Sequence, residues 1–203
     1  VSAGSVLEQI AQILLRLEAE IHQQRPDLIV VVGDVTSTLA AALAANKLAI
    51  PLAHVEAGLR SFDREMPEEI NRRITDSLSD LLFTTCRDAR ENLLREGIEA
   101  QRIHFVGNVM VDTLLSNLAR ARDLQAWRSF DLSAGGYALL TLHRPANVDQ
   151  GAPLEKWVAL LDALQAELPV IFPIHPRTRL RMAEFDLLER LDAMPGKQRI
   201  EFS

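Results

Sequence analysis

Carboxylate, imidazole and guanidinium side chains in this sequence fall repeatedly just after short apolar runs. Asp34 follows Leu28–Val32, His54 and Glu56 close the run that starts at Ile50, His143 and Arg144 follow Tyr137–Leu142, and His175 and Arg177 follow Val170–Ile174. Carboxylates exchange protons with a bound substrate, and a few Arg and His can hold a small anionic ligand and stabilise charge that develops on it. Each residue also has a plainer reading. Asp34 stands just before a helical pattern and is placed to cap it. Glu56 is placed for an ion pair with Arg60 or Arg72. Glu68 and Glu69 lie in the first turn behind Pro67, where acids complement the helix dipole. Glu68 and Arg72 are spaced to share a helix face, as are Glu69 and Arg73. His54 sits on the same strand face as Glu56 and is equally suited to packing. His143 and His175 lack a His-x-His or His-x-x-x-His spacing, so no metal site is expected.

Elements that alternate in type must position these groups. Ser5-Val-Leu-Glu8 fits a capping box, and Ile10, Ile13, Leu14, Leu17 and Ile21 follow at helical spacing. Leu28–Val32 reads as a strand buried on both faces, as parallel strands are. The pattern then predicts a helix ending near Lys47, a strand over Ile50–Val55, a helix over Pro67–Leu81, and a strand over Leu82–Thr85. A helix ending near Gly97, a strand over Arg102–Val106 and a helix over Val111–Arg122 complete a first series. A second series runs through the strand Tyr137–Leu142, a helix over Leu154–Leu168, the strand Val170–Ile174, a helix over Thr178–Leu191 and a strand over Arg199–Phe202. Repeated β-α units imply doubly wound parallel sheets with right-handed crossovers. The expected organisation is a first domain over residues 1–122, a linker over 123–136, and a second domain over 137–203. Ligands of such sheets bind outside the carboxyl ends of the strands, where these polar residues gather, and the expected site draws on both domains.

Composition narrows the class. With 203 residues and 48% hydrophobic content, the chain can bury a core in one large or two small domains. A net charge of −6 argues against nucleic-acid binding, which needs a basic face. The single cysteine, Cys86, excludes an internal disulfide and a cysteine-based metal site, and points to a reducing cytoplasm. No apolar run reaches the roughly 20 residues of a membrane span.

Three ordered motifs carry a family resemblance: Val31-Val-Gly-Asp-Val-Thr-Ser-Thr38, His54-Val-Glu-Ala-Gly-Leu-Arg60 and Met66-Pro-Glu-Glu-Ile-Asn-Arg-Arg73. With Gly107-Asn108 and Asp112, Thr141-Leu-His-Arg144 and Asn147, and Pro173-Ile-His-Pro176, the chain resembles bacterial UDP-N-acetylglucosamine 2-epimerases of the non-hydrolysing type. The resemblance implies two doubly wound Rossmann-like domains of the glycosyltransferase-B type, with a UDP-sugar in the cleft between them. It implies inversion at C2 of UDP-N-acetylglucosamine, giving UDP-N-acetylmannosamine by elimination and re-addition of UDP, in service of surface polysaccharide synthesis. Carried over residue by residue, Asp34, Glu56 and Glu68 match the acid/base carboxylates. Arg72, His143, Arg144 and His175 match substrate-binding positions. No cofactor is implied, and no Gly-x-Gly-x-x-Gly follows a strand. A homodimer is the expected assembly, with no nucleic-acid or membrane partner.

The chain departs from that family in what it lacks. Nothing matches the opening Gly-Thr-Arg-Pro-Glu strand or the later Asp-Ser-Gly-Gly loop, and the chain starts at Val1 without methionine. The resemblance therefore implies an internal fragment in which both domains are incomplete, inactive by itself. Two other readings stay open: a hydrolysing 2-epimerase that releases free N-acetylmannosamine, and a non-catalytic nucleotide-sugar-binding module.

Overall fold

A computed structural model describes residues 4–192 and 198–201, and the chain divides into two units, Val1–Asn117 and Leu118–Ser203. In the first unit, helix α1 (Val6–Gln24) opens with the expected capping box. Ser5 Oγ accepts the Glu8 amide at 3.2 Å, and the Glu8 carboxylate accepts the Ser5 amide at 2.6 Å. Strand β1 (Ile29–Val32) leads into α2 (Thr36–Lys47), β2 (Leu52–Ala57), α3 (Pro67–Leu78), β3 (Leu81–Thr84), α4 (Arg87–Arg95) and β4 (Ile103–Phe105). The four strands are parallel and ordered β1-β2-β3-β4. Helix α5 (Val109–Leu124) follows.

Small residues let α2 approach the sheet closely. Ala42 and Ala45 pack with Val31 and Leu52 in one cluster, while Leu93 of α4 meets Ala57, Leu82 and Ile103 in another. The expectation that β1 is buried on both faces is corrected. Val31 is 5% exposed, but its neighbours Val30 and Val32 are 55% and 53% exposed. Side chains alternate across a strand, and a sequential strand order with right-handed crossovers lays the connecting helices on one face. Only that face of β1 is covered among the described residues.

The second unit pairs β5 (Ala138–Leu139), β6 (Val170–Ile174) and β7 (Gln198–Glu201) in parallel, in that order. Between them lie α6 (Pro145–Val148), α7 (Gly151–Gln165), α8 (Pro176–Glu184) and α9 (Leu188–Asp192). Val170, Phe172 and Ile174 alternate along β6 and share one core with Leu154, Val158, Leu161 and Met182. Residues 123–136, read as a linker, contain a 3-10 turn at Ala126–Phe130. The strand predicted over Tyr137–Leu142 pairs only at Ala138 and Leu139; Leu142 is buried, and its carbonyl accepts the Thr178 hydroxyl. The single helix predicted over Thr178–Leu191 is two helices. Asp186 takes a left-handed φ of 56°, and the Leu187 amide turns back to the Met182 carbonyl at 2.8 Å, which closes α8. Phe202 of the last predicted strand lies outside the described residues. Among the described residues no helix is long and apolar enough to cross a membrane.

Candidate functional site

In the first unit the carboxyl ends of β1 and β2 carry the candidate carboxylates, and α3 supplies what holds them. Gly33, at φ 70°, turns the chain out of β1 and presents Asp34. Asp34 does not cap α2: the N-cap there is Val35, without a side-chain hydrogen bond. Its Oδ2 instead accepts Arg72 Nε at 3.1 Å and Arg72 Nη2, while its backbone carbonyl accepts Asn71 Nδ2 at 2.9 Å. A helix begun by Pro67 therefore reaches 38 positions back along the chain to fix one carboxylate.

Glu56 stands at the far end of β2 in an uncommon backbone state. Its φ is 71°, and the pairing of β2 with β3 shifts register between Val55 and Ala57, so Glu56 is the extra residue of a bulge. A non-glycine residue in this region is strained by about 1–2 kcal/mol, and such strain concentrates at functional positions. Its carboxylate points toward the Asp34 turn: a Cβ added to Gly33 would lie 3.6 Å from Glu56 Oε2. No hydrogen bond or ion pair to the Glu56 side chain is found among the described residues. The ion-pair reading is thereby displaced, because Arg60 pairs with Asp76 and Glu96, and Arg72 with Asp34 and Glu69.

The pairings expected along α3 differ from those formed. Glu68 is exposed and does not meet Arg72. Glu69, one position on, is 1% exposed, and its Oε2 lies 3.3 Å from Arg72 Nη1. Arg73 lies 3.6 Å from Glu96 rather than pairing with Glu69. Residues three apart share a helix face as well as residues four apart, and burial selects between them. Burial pushes the Glu69 carboxyl up, but the Ser61 amide at 2.8 Å, the Ser61 hydroxyl at 3.0 Å and the guanidiniums of Arg72 and Arg60 outweigh it and hold the group below its ordinary value. The other oxygen, Oε1, has no hydrogen-bond partner among the described residues.

Beneath these groups lies a residue that sequence reasoning passed over. Asp76 is buried, with Oδ1 2.7 Å from His54 Nδ1 and Oδ2 accepting the Gly58 amide at 3.1 Å and Arg60 Nη1 at 2.8 Å. His54 is also fully buried, and its Nε2 donates to the Gly33 carbonyl at 2.8 Å. The signal for Asp76 is its spacing. Glu69, Arg72 and Asp76 fall at i, i+3 and i+7, which puts a polar stripe on the buried face of the helix.

In the second unit two of the predicted residues meet. His143 and His175 face each other with ring centroids 5.7 Å apart and planes tilted by 34°. His175 caps α8, its Nδ1 accepting the Arg177 amide at 3.1 Å, and Arg144 occupies the cap position of α6. His143, Arg144 and His175 are all exposed, as a ligand contact requires. Arg177 leaves this cluster for Asp149, with Nε 2.8 Å from Oδ1, and this contact first, with Arg181 beside it, holds the Asp149 carboxyl below its ordinary value. Among the described residues no cluster of three or more His, Cys, Asp or Glu is placed to hold a metal ion.

The sequence profile of the UDP-N-acetylglucosamine 2-epimerase family matches residues 1–202. The chain is 45% identical over 196 residues to a UDP-N-acetylglucosamine 2-epimerase of Methanocaldococcus jannaschii, covering 94% of this chain and 54% of that protein. It is 44% identical over 182 residues to a UDP-2,3-diacetamido-2,3-dideoxy-D-glucuronate 2-epimerase of Pseudomonas aeruginosa, covering 88% of this chain and 50% of that protein. A crystal structure of Methanocaldococcus jannaschii UDP-GlcNAc 2-epimerase in complex with UDP-GlcNAc and UDP superposes with a TM-score of 0.86 at 44% identity, over 98% of this chain and 56% of that one. The chain spans about half the length of the curated relatives it matches.

Proposed function

The chain belongs to the UDP-N-acetylglucosamine 2-epimerase family, and from that premise we propose that its protein inverts C2 of UDP-N-acetylglucosamine without hydrolysis. The C2 proton is not acidic, so its removal needs a placed base acting as the C1–O bond to UDP breaks. The electron pair of the C2–H bond becomes the C1–C2 double bond of 2-acetamidoglucal, and UDP leaves as the anion. A proton then returns to the opposite face of C2 as a UDP oxygen re-forms the bond to C1. Inversion needs proton-exchanging groups that differ in position and environment. Asp34 and Glu56 stand at the ends of the paired strands β1 and β2, one against a guanidinium and the other with no ion pair among the described residues.

The observation that carries this reading is Glu56: a carboxylate aimed at the Asp34 turn, with no hydrogen bond or ion pair among the described residues, on a strained bulge. Asp34 and Glu56, with Glu68 at the start of α3, are the acid/base groups of this reading, and Arg72 fixes Asp34. His143, Arg144 and His175 contact the nucleotide sugar, where cationic or hydrogen-bonding groups stabilise the departing diphosphate. Residues 1–122 and 137–203 belong to two Rossmann-like domains, and the protein acts as a homodimer in the cytoplasm. The comparable identity to a 2-epimerase of a diacetamido-glucuronate makes that UDP-sugar the second substrate to examine, since it presents the same acetamido-bearing C2.

The experiment is a proton-NMR time course of full-length protein with each UDP-sugar. Conversion to the 2-epimer with UDP still attached supports the reading, and Glu56→Gln should abolish it. Release of free N-acetylmannosamine would instead show the hydrolysing branch, and UDP-sugar binding without turnover a non-catalytic module.

A further inference from the structure

The network beneath the candidate carboxylates joins the two turns that carry them. The Gly33 peptide is held on both sides by β2: its amide donates to the Val55 carbonyl at 3.1 Å, and its carbonyl accepts His54 Nε2 at 2.8 Å. A carbonyl only accepts, so Nε2 carries a hydrogen, and the ring meets Asp76 through Nδ1. The other Asp76 oxygen accepts the amide of Gly58, two residues past Glu56, whose carbonyl is tied in turn to Asn92 Nδ2 at 3.0 Å. One buried carboxylate of α3 thus reaches the Gly33-Asp34 turn through an imidazole and the Glu56-Ala57-Gly58 turn directly.

Packing alone does not account for this arrangement. Burying an imidazole and a carboxylate costs desolvation, and an apolar pair of similar volume fills the same space without that cost. The return is directional: hydrogen bonds fix peptide orientation where dispersion contacts do not. Gly33 and Gly58 both take left-handed φ values, 70° and 79°, and peptides flanking such residues are the ones that need orienting.

We propose that His54 and Asp76 form a positioning pair that sets the spacing between the Asp34 and Glu56 carboxylates, and so acts on the chemical step and not on nucleotide binding. The proposal rests on the 2-epimerase reading above. Both side chains are buried, which leaves neither open to a bound ligand.

The test compares His54→Phe and His54→Gln in the full-length protein. His54→Phe removes both contacts, and His54→Gln keeps a donor for the Gly33 carbonyl. Displacement of a reacting group by about 1 Å costs on the order of 10²-fold in rate. His54→Phe should therefore lose about that factor in kcat, His54→Gln should recover part of it, and KM and calorimetric UDP affinity should stay within about threefold of the parent in both. If His54→Phe does not fold, His54→Gln carries the test alone, with a reduced kcat at unchanged KM. A variant kcat equal to the parent's, or a loss appearing equally in KM and UDP affinity, overturns the positioning role. Absence of turnover by the parent protein overturns the epimerase reading instead, so the two failures are distinguishable.

Discussion

Arg72 and Asp34 lie on different elements, and two guanidinium nitrogens of Arg72 converge on a single oxygen, Asp34 Oδ2. The third nitrogen faces Glu69, so a single side chain of α3 joins a candidate catalytic carboxylate to a buried one. The Arg72 side chain is 13% exposed and that of Asp34 is 30% exposed, which keeps the contact partly out of water, where charge-assisted hydrogen bonds are stronger.

Replacing Arg72 should therefore affect both folding and rate. Arg72→Ala leaves Asp34 without its cation and takes from Glu69 the nearer of its two guanidiniums, and should destabilise the protein by about 1–3 kcal/mol. Arg72→Lys restores charge but supplies a single point donor, so it should recover most of the stability and little of the rate. Urea unfolding and steady-state kinetics on both variants make the comparison.

Glu56 should separate function from stability. With no pairing of its side chain among the described residues, Glu56→Gln should unfold within about 0.5 kcal/mol of the parent while losing about 10²–10⁴-fold in activity. A Gln variant destabilised in step with its loss of activity would mean the carboxylate is structural.

Two substitutions in the same turn should move stability in opposite directions. Glu56→Gly relieves the cost of φ 71° and should stabilise by about 1 kcal/mol while abolishing activity. Gly58→Ala places a Cβ 2.4 Å from the Ala89 carbonyl oxygen at φ 79°, and should destabilise by about 2 kcal/mol or more. Thermal melts of the two proteins check the signs.

Much of this site was legible in the sequence because strand ends are legible. Apolar runs located every described strand to within a few residues, and Asp34 and Glu56 do stand at the carboxyl ends of β1 and β2. The partners were not legible. Asp34 meets Arg72 and His54 meets Asp76 through the fold, and local spacing proposed Glu68 with Arg72 where burial chose Glu69. The left-handed backbone of Glu56 left no trace in residue type, since nothing in a glutamate announces a positive φ. The exposure of Val30 and Val32 was also hidden, because a β-branched run reads as buried whether or not a second layer covers it.

Acid should weaken the first unit through two glutamates. Glu69 and Glu96 are both held below the ordinary value of 4.5, Glu69 by the Ser61 and arginine contacts that overcome its burial, Glu96 chiefly by Arg60. The unfolded chain takes up these protons first, so their contribution is complete above the ordinary value and is lost as pH falls through the lower folded values. Denaturant titrations at pH 7, 5, 4 and 3 should show a steeper acid loss for the parent than for Glu69→Gln, whose stability is lower at neutral pH and flatter below it.

Inversion at C2 through proton exchange at Asp34 and Glu56, as proposed above, requires that UDP be eliminated and re-added. The most direct measurement is turnover of UDP-N-acetylglucosamine by full-length protein in D2O, followed by NMR and mass spectrometry of the nucleotide sugars. The expected product is UDP-N-acetylmannosamine carrying deuterium at C2, with UDP re-attached at C1 and no deuterium entering with Glu56→Gln. Product with protium retained at C2 would contradict the proton exchange, and free N-acetylmannosamine accumulating with UDP would contradict the re-addition.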